Sequence, residues 1–367
     1  MKQLQVMKTG DLRSKDPAQR PVLEVVDTKV KPLARDAESS PLAPNEVRIK
    51  VAYCAICGSD PHTIGGFFGW PTPFSIGHEI SGVIVEMGSA AGRSGKGLKV
   101  GDRVAGNFLG HCGECYYCQN GQEQFCPHAE EYNSPGFSQY IIWTEGQVYK
   151  LPDDVTLKQG CLLEPTAIIC RAMDKINMQY GSRVAICGGG PIGLLALQAV
   201  KIQGGLKVTL IEPIEQRREL AKKFGADYVI DPVKQNLKEE ADKITDGKGY
   251  DIVIDFSGSK YAVEPLPSIV AKCGYLLYGA QYPNDYCMPL NLTQALYHNE
   301  ITMSGMFVAP YCYPRAIQMI GKYNLEEFTS QVYSLDDAQA AFDAQVSGKY
   351  VKIIIRCNDD IVDPAEK

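Results

Sequence analysis

The residues best suited to chemistry lie between Cys54 and Glu79, in the segment CAICGSDPHTIGGFFGWPTPFSIGHE. This segment offers a thiol at Cys57, an imidazole at His78 and a carboxylate at Glu79. Zinc accepts these three kinds of donor together, and a catalytic zinc site keeps one position open for water or substrate. The segment therefore predicts a catalytic zinc site, with these three residues as candidate ligands.

Two further residues of the segment, Ser59 and His62, form a hydroxyl–imidazole pair. An alcohol held by zinc loses its proton near neutral pH, and that proton needs a path to solvent. We expect Ser59 to pass the proton on and His62 to receive it. Asp60 can accept the second N–H of a ligand imidazole and so fix its orientation. A lone histidine in such a loop is more often a packing residue, so the prediction rests on the whole set.

A second group of thiols follows in HCGECYYCQNGQEQFC, at Cys112, Cys115, Cys118 and Cys126. This spacing can close a tetrahedral four-thiolate site, the kind that has no open position. The alternatives are four free cysteines, which would be open to oxidation, and a redox role, which fits poorly with a segment rich in Gly, Asn and Gln. We therefore predict a structural zinc in a lobe at about residues 110–127.

One carboxylate, Glu164, stands in the apolar stretch QGCLLEPTAIIC, directly before Pro165. A carboxylate in such surroundings costs too much free energy to remain unpaired. It therefore needs a basic partner or a cation, and zinc is the obvious cation. Cys161, three residues earlier, is a weaker candidate for the same ion.

A glycine turn between an apolar strand and an apolar-faced helix predicts a dinucleotide site. Its G-x-G-x-x-G residues are Gly188, Gly190 and Gly193. The first glycine permits the turn, the second lets the backbone approach a pyrophosphate, and the helix N-terminus binds its charge. Glu212 ends the next strand, where it can accept both ribose hydroxyls of NAD and would repel a 2′-phosphate. NAD is favoured, although Arg217 and Arg218 keep NADP as an alternative.

The elements around these residues follow two patterns. In the first part of the chain, period-two alternation predicts strands at residues 22–33, 47–54, 80–91 and 98–108. Their close spacing and polar turns favour a partly open β-barrel. From about residue 184, strands and helices alternate, which predicts a doubly wound parallel sheet. Within that alternation we expect a helix over AVEPLPSIVAKC, residues 262–273.

These patterns predict an α/β protein of two domains. The catalytic domain comprises residues 1–166 and a C-terminal return at 309–367, and the dinucleotide-binding domain comprises residues 167–308. A chain of 367 residues gives each domain enough length for a core of ordinary size.

Composition limits the class of partner and the compartment. The net charge is -6, and residues of both signs are mixed along the chain. This distribution shows no concentration of positive charge that would bind nucleic acid or an anionic membrane. The polar start MKQLQVMKTGDLRSKD lacks the apolar run of a signal peptide, and no stretch approaches about 18 uninterrupted apolar residues. We expect a cytosolic protein, in which the 13 cysteines stay reduced and the clustered ones hold metal.

Taken in order, the loop CAICGSDPH, the GHE at 77–79, the four-cysteine lobe and the G-x-G-x-x-G unit resemble the zinc-containing medium-chain dehydrogenases. The resemblance covers nearly the whole chain. Alcohol dehydrogenases of that family use a second cysteine as third ligand of the catalytic zinc, whereas this chain has Glu164 in LEP and resembles the sorbitol and related polyol dehydrogenases. The resemblance implies a GroES-like catalytic domain, a Rossmann domain, and a homodimer or homotetramer.

The resemblance also implies roles for single residues. Those that match the family's catalytic site are Cys57, Ser59, His62, His78, Glu79 and Glu164. Cys57 and His78 match the thiolate and imidazole ligands, and one of the two glutamates holds the metal through water or exchanges with it. Lys352, in GKYVKIII, resembles the basic residue that reaches the cofactor pyrophosphate, and a merely solvated lysine is the alternative.

The function this predicts is reversible, zinc-dependent oxidation of a secondary hydroxyl of a polyol, cyclitol or sugar-like substrate to a ketone, with NAD as hydride acceptor. The alternatives are an alcohol or amino-alcohol dehydrogenase and, from another class, a non-catalytic NAD-binding protein. Phe67, Phe68 and Trp70 lie between two candidate ligands, where they could wall the substrate cleft or pack in the core or against another subunit.

Overall fold

A computed structural model describes residues 1–28, 36–93, 95–129 and 135–366 of the chain. The chain divides into two compact units, one of Met1–Ala167 with Pro310–Lys367 and one of Ile168–Ala309. The predicted boundaries, after residues 166 and 308, fall next to the observed ones, after residues 167 and 309. Among the described residues, no helix has both the length and the apolar character needed to cross a membrane.

The secondary-structure elements, in chain order, belong to three stretches. The first contains β1 (Lys2–Lys8), β2 (Val22–Asp27), β3 (Glu46–Ala55), α1 (Asp60–Ile64), β4 (Glu79–Met87), β5 (Arg103–Gly106), α2 (Tyr116–Gln119), β6 (Tyr140–Thr144), β7 (Val148–Lys150), α3 (Leu157–Gly160) and α4 (Leu163–Ile176). The second contains β8 (Arg183–Cys187), α5 (Pro191–Ile202), β9 (Leu206–Ile211), α6 (Glu215–Lys223), β10 (Tyr228–Ile230), α7 (Leu237–Thr245), β11 (Tyr250–Asp255), α8 (Lys260–Val263), β12 (Val270–Tyr278) and β13 (Thr302–Gly305). The third contains α9 (Tyr313–Met319), β14 (Val332–Ser334), α10 (Ala338–Val346) and β15 (Ile354–Arg356).

The first unit is built on a seven-stranded sheet. Its strand order is β14-β15-β3-β4-β5-β7, and β6 pairs with β3. The long central strand β3 has alternating apolar residues, and Ile49 on it is fully buried with Phe137 and Trp143. This sheet fixes the start of the metal-ligand segment, because that segment leaves the end of β3 and returns at the first residue of β4. Of the strand predicted over residues 22–33, β2 covers Val22–Asp27, and residues 29–33 lie outside the described ranges.

The second unit is a six-stranded sheet in the order β10-β9-β8-β11-β12-β13, and every pairing in it is parallel. The order reverses direction between β8 and β11. This arrangement confirms the prediction of a doubly wound sheet, and it places the glycine turn after β8 at the point of reversal.

One predicted helix in this unit is wrong. In place of a helix over residues 262–273, α8 ends at Val263, a 3-10 turn covers Leu266–Ile269, and β12 begins at Val270. Pro265 and Pro267 lack the N–H groups that a helix needs. Val270 instead pairs with Tyr250 of β11, so a tertiary contact decides the conformation.

Candidate active site

Three of the predicted zinc ligands come together in the first unit. Cys57, His78 and Glu79 each offer one donor atom, and these atoms lie within 4.8 Å of one another. Cys57 lies in the turn between β3 and α1, His78 directly precedes β4, and Glu79 is the first residue of that strand. A thiolate, an imidazole and a carboxylate make a three-ligand set that zinc accepts with a fourth position open. The described residues therefore fit a catalytic zinc at this mixed donor group.

Asp60 fixes the mixed donor group from within α1. Its Oδ2 accepts the Cys57 backbone N–H at 2.8 Å, and its Oδ1 lies 3.6 Å from His78 Nδ1. Burial raises the pKa of this carboxyl to about 6, while the charge of His78 acts in the opposite direction. A carboxylate beside Nδ1 leaves Nε2 of the imidazole for a metal, the orienting role predicted for Asp60.

Glu79 is held by a lysine that the sequence analysis assigned elsewhere. Lys352 is only 2% exposed, and its Nζ lies 2.7 Å from Glu79 Oε1 and 2.6 Å from Oε2. Only the contact with Oε1 has hydrogen-bond geometry, and Oε2 is a buried oxygen without a hydrogen-bond partner among the described residues. Beside its ion pair with Lys352, Oε2 keeps a lone pair for a metal ion at the donor group.

This position of Lys352 excludes the alternative of a merely solvated lysine, because its ammonium is buried and bonded to a buried carboxylate. Its contact with the cofactor pyrophosphate stays a prediction. The separation of 273 positions along the chain explains why no local pattern indicated the pair.

The second predicted carboxylate, Glu164, lies outside the mixed donor group. It is buried at the start of α4, and burial raises its pKa to about 7, while the charge of His78 lowers it. Of the two glutamates, the structure brings Glu79 among the donor atoms. Contact of Glu164 with the metal, directly or through a water, stays a prediction. Cys161, the weaker candidate, is buried and directs its thiol to the Lys158 carbonyl at 3.0 Å.

The predicted relay residues lie on one turn. Ser59 precedes α1 and is half-buried, whereas His62 is exposed on the same turn three residues later. Residues three apart on a helix share a face. Partial desolvation of the ring, and then the charge of Arg13, lower the pKa of His62 below its ordinary value. The imidazole is therefore neutral near pH 7 and able to accept a proton.

The aromatic loop continues outward from His62. The Phe67 ring meets the His62 ring edge-on at 6.5 Å, and Phe68 stacks on Trp70 with ring centroids 5.1 Å apart. Phe68 is 51% exposed and Trp70 is 40% exposed. This exposure rules out packing of these two rings in the core of the chain, one of the predicted alternatives, and leaves a substrate or another subunit.

The four-cysteine lobe forms a separate donor group. The sulfurs of Cys112, Cys115, Cys118 and Cys126 lie within 4.8 Å of one another. Backbone N–H groups of Glu114 and Cys115 lower the pKa of Cys112 to about 6, which favours the thiolate form that binds metal. Four thiolates so placed fit a closed tetrahedral zinc site, as the spacing predicts.

The glycine turn of the second unit has the shape expected of a phosphate-binding turn. Gly188 has φ 101°, and a Cβ on Gly193 would lie 1.8 Å from the Gly188 carbonyl oxygen, so both positions require glycine. A Cβ on Gly190, which caps α5, would meet no atom within 4 Å. The open space in front of Gly190 is where a pyrophosphate would approach the helix N-terminus.

Glu212 lies beside this turn, directly after β9. It is 3% exposed, and its carboxylate accepts the N–H of Gly189 at 2.6 Å and that of Ile214 at 2.9 Å. Arg218, an argument for NADP in the sequence, donates to the Glu212 carbonyl and pairs with Asp231 at 3.1 Å. The carboxylate is thus fixed against the glycine turn, and each of its oxygens has a further lone pair for a hydroxyl donor.

Two sequence profiles match the chain: "Alcohol dehydrogenase GroES-like domain" over residues 43–153 and "Zinc-binding dehydrogenase" over residues 191–322. The chain is 35% identical to D-arabitol-phosphate dehydrogenase of Enterococcus avium, over 86% of its own length and 91% of the relative's. It is 33% identical to sorbitol dehydrogenase of Bacillus subtilis strain 168, over 86% and 91%. The NADP-bound structure of a presumed zinc-binding dehydrogenase from Sinorhizobium meliloti 1021 superimposes with a TM-score of 0.83 and 26% identity, covering 97% of this chain and all of that one.

Proposed function

The chain belongs to the zinc-containing medium-chain dehydrogenases, as the sequence predicts, and within that family we propose that it reversibly oxidises a secondary hydroxyl of a polyol, cyclitol or sugar-like substrate to a ketone with NAD. It is a nicotinamide-dependent enzyme of the zinc alcohol and polyol dehydrogenase type. The observation that carries the proposal is the mixed donor group of one thiol, one imidazole and one carboxylate, with Glu164, which stands where the alcohol dehydrogenases have a second cysteine, buried at the start of α4.

Cys57, His78 and Glu79 would hold the catalytic zinc. Zinc in this position supplies Lewis-acid activation of a substrate oxygen. Asp60 keeps the His78 ring oriented, and Lys352 keeps the Glu79 carboxylate in place at 2.6–2.7 Å. These contacts preorganise the donor group before substrate arrives.

Ser59 and His62 would carry the proton away from the substrate hydroxyl. Ser59 is half-buried and His62 is exposed, so the pair leads from the interior of the site to water. The lowered pKa of His62 keeps its imidazole able to accept that proton at neutral pH. The exposed Phe68–Trp70 stack beside this path offers an apolar surface for the carbon face of a polyol or sugar.

The glycine turn and Glu212 would hold NAD, which would supply the hydride acceptor for the oxidation. The open space at Gly190 suits its pyrophosphate, and Glu212 suits the two ribose hydroxyls. A 2′-phosphate would place a second negative charge against the Glu212 carboxylate, so we favour NAD over NADP. The similar structure from Sinorhizobium meliloti 1021 contains NADP, so the preference of this chain for NAD over NADP needs to be measured.

The test is NADH formation by the purified, zinc-loaded protein with a panel of polyols, phosphorylated polyols, inositols, sugars, amino alcohols and simple alcohols, each with NAD and NADP. We expect turnover of a polyol, cyclitol or sugar with NAD. Turnover confined to simple or amino alcohols would contradict the substrate class, and faster turnover with NADP would contradict the cofactor assignment. Light scattering on the same sample tests the predicted dimer or tetramer.

A further inference from the structure

A buried carboxylate in the second unit joins two loops at the carboxyl edge of the sheet. Asp255 ends β11 and is fully buried. Its Oδ1 accepts the Ser257 backbone N–H at 3.2 Å and the Ser257 hydroxyl at 2.6 Å, while its Oδ2 accepts the Tyr282 hydroxyl. Tyr282 lies in the loop that follows β12. One side chain therefore ties the turn after β11 to the loop after β12.

The turn held by Asp255 supports the glycine turn. A Cβ on Gly188 would lie 2.9 Å from the backbone of Phe256 and Ser257, and the Phe256 N–H donates to the Cys187 carbonyl at 2.8 Å. The first glycine of the dinucleotide site thus rests on the backbone that Asp255 fixes. The Gly279 N–H also donates to the Asp255 carbonyl, at 2.9 Å, so the start of the loop after β12 is tied to the same residue.

The position of these loops in the sheet indicates which part of a dinucleotide they face. Doubly wound sheets bind one mononucleotide half on each side of the point where the strand order reverses. Here the reversal lies between β8 and β11. Glu212, the candidate ribose ligand for the adenosine half, follows β9 on one side. The β11–β13 side, and with it the loop after β12, is left for the nicotinamide half.

We propose that Tyr282, through its bond to Asp255, is a positioning residue that holds the loop after β12, residues 279–286, in the conformation that receives the nicotinamide half of the cofactor. This inference rests on the dinucleotide binding of the proposed function. Burial and the neighbouring Asp255 raise the pKa of Tyr282, so its hydroxyl stays a donor across the neutral range.

The same loop contains a natural control. Tyr286 stacks on Tyr282 with ring centroids 5.7 Å apart, and its hydroxyl donates to Glu264 at 3.1 Å. Glu264 is exposed and directly follows α8. Replacing either tyrosine by phenylalanine removes the hydroxyl and keeps the stacked ring. Of the two changes, only the one at Tyr282 removes a side-chain bond between this loop and β11.

The experiment compares Tyr282→Phe and Tyr286→Phe with wild type by titration calorimetry, using NADH and AMP as separate ligands. A hydrogen bond to a charged group contributes about 1.5 kcal/mol, so Tyr282→Phe should weaken NADH binding about tenfold. AMP fills only the adenosine half, and its affinity should change by less than about twofold. Tyr286→Phe should leave both affinities within the same limit.

Two results overturn the inference. One is unchanged NADH binding by Tyr282→Phe, and the other is equal weakening of NADH and AMP, which a general loss of structure would produce. If Tyr282→Phe does not fold, hydrogen exchange over residues 279–286 of the wild-type protein replaces it: NADH should slow this exchange and AMP should not, and equal exchange with the two ligands would overturn the inference. Wild-type protein that binds AMP but not NADH would contradict the proposed function itself. If wild type binds NADH and Tyr282→Phe binds it with the same affinity, only the positioning role is contradicted.

Discussion

The mixed donor group and the four-cysteine lobe use cysteine in opposite ways. The four cysteines fall within one short stretch, Cys112 to Cys126, and backbone N–H groups are the first cause that lowers the pKa of Cys112. The mixed group joins Cys57 to His78 and Glu79 and depends on a lysine 273 residues further along the chain. Its surroundings include the buried carboxyls of Asp60 and Glu164. A closed, local site is suited to stability, whereas an open site with long-range supports is suited to chemistry.

The sharpest separation of the two groups comes from removing the Cys57 thiol. Cys57→Ala takes away one of three ligands, so we expect one zinc per chain to be lost. The value of kcat/KM should then fall at least about 10⁴-fold, or about 5.5 kcal/mol. Thermal unfolding should change little. Zinc content and steady-state kinetics on the same sample measure these effects.

Cys54→Ala is the matched control for that change. Cys54 lies three residues away, is fully buried and is outside both donor groups. It should keep both zinc ions and most of the activity. An active Cys57→Ala enzyme, or equal zinc loss in the two variants, would contradict the assignment of the mixed group as the catalytic centre.

Lys352→Met tests the long-range support of the mixed group. The substitution leaves the Glu79 carboxylate buried and unpaired, which typically costs about 4 kcal/mol. Zinc supplies a compensating charge. The decrease in the free energy of unfolding should therefore be largest in metal-free protein and smaller after zinc is added. Denaturant unfolding with and without zinc measures the difference.

Lys158→Met provides the comparison, because Lys158 pairs with Glu366 at 3.2 Å where both side chains are about one-third exposed. That exposed pair should contribute less than about 1 kcal/mol. Equal losses in the two lysine variants would show that the Lys352–Glu79 pair has no special role.

Much of the difference between the two donor groups could be predicted from the sequence. The features that could not be predicted have physical causes. The four cysteines and the G-x-G-x-x-G turn depend on local spacing, and the alternation of strands and helices gave the doubly wound sheet. Pairs that are distant along the chain, Lys352 with Glu79 and Tyr282 with Asp255, leave no local pattern. The helix predicted over residues 262–273 failed because its apolar residues also suit a buried strand, and pairing with β11 favours the strand.

Cys115→Ser tests the other side of the comparison. Losing one ligand of the four-cysteine lobe removes a metal cross-link, so we expect the free energy of unfolding to fall by about 3 kcal/mol. The folded fraction should keep kcat/KM within about threefold of wild type, because the chemistry lies elsewhere. Zinc content, thermal unfolding and kinetics per folded molecule measure this. A loss of activity in fully folded protein would show that the two sites are not independent.

The smallest expected effect concerns the relay. Neutral His62 is the form that accepts a proton, and its pKa lies below the ordinary value of 6.5. The acid limb of kcat/KM for alcohol oxidation should therefore lie below pH 6.5. Arg13→Gln removes one cause of the lowering and should move that limb to higher pH, whereas Arg13→Lys keeps the charge and should leave it in place. Identical pH profiles for all three proteins would exclude His62 as the group that titrates.

The most direct test of the central claim is gradual removal of zinc with a chelator while bound zinc, NADH formation and thermal unfolding are followed on the same samples. The mixed group contains a carboxylate and an open position, so it should lose its zinc first. Activity should fall with the first zinc and return when zinc is added back, and the unfolding temperature should fall mainly with the second. Full activity after loss of the first zinc, or loss of activity only together with unfolding, would contradict the account.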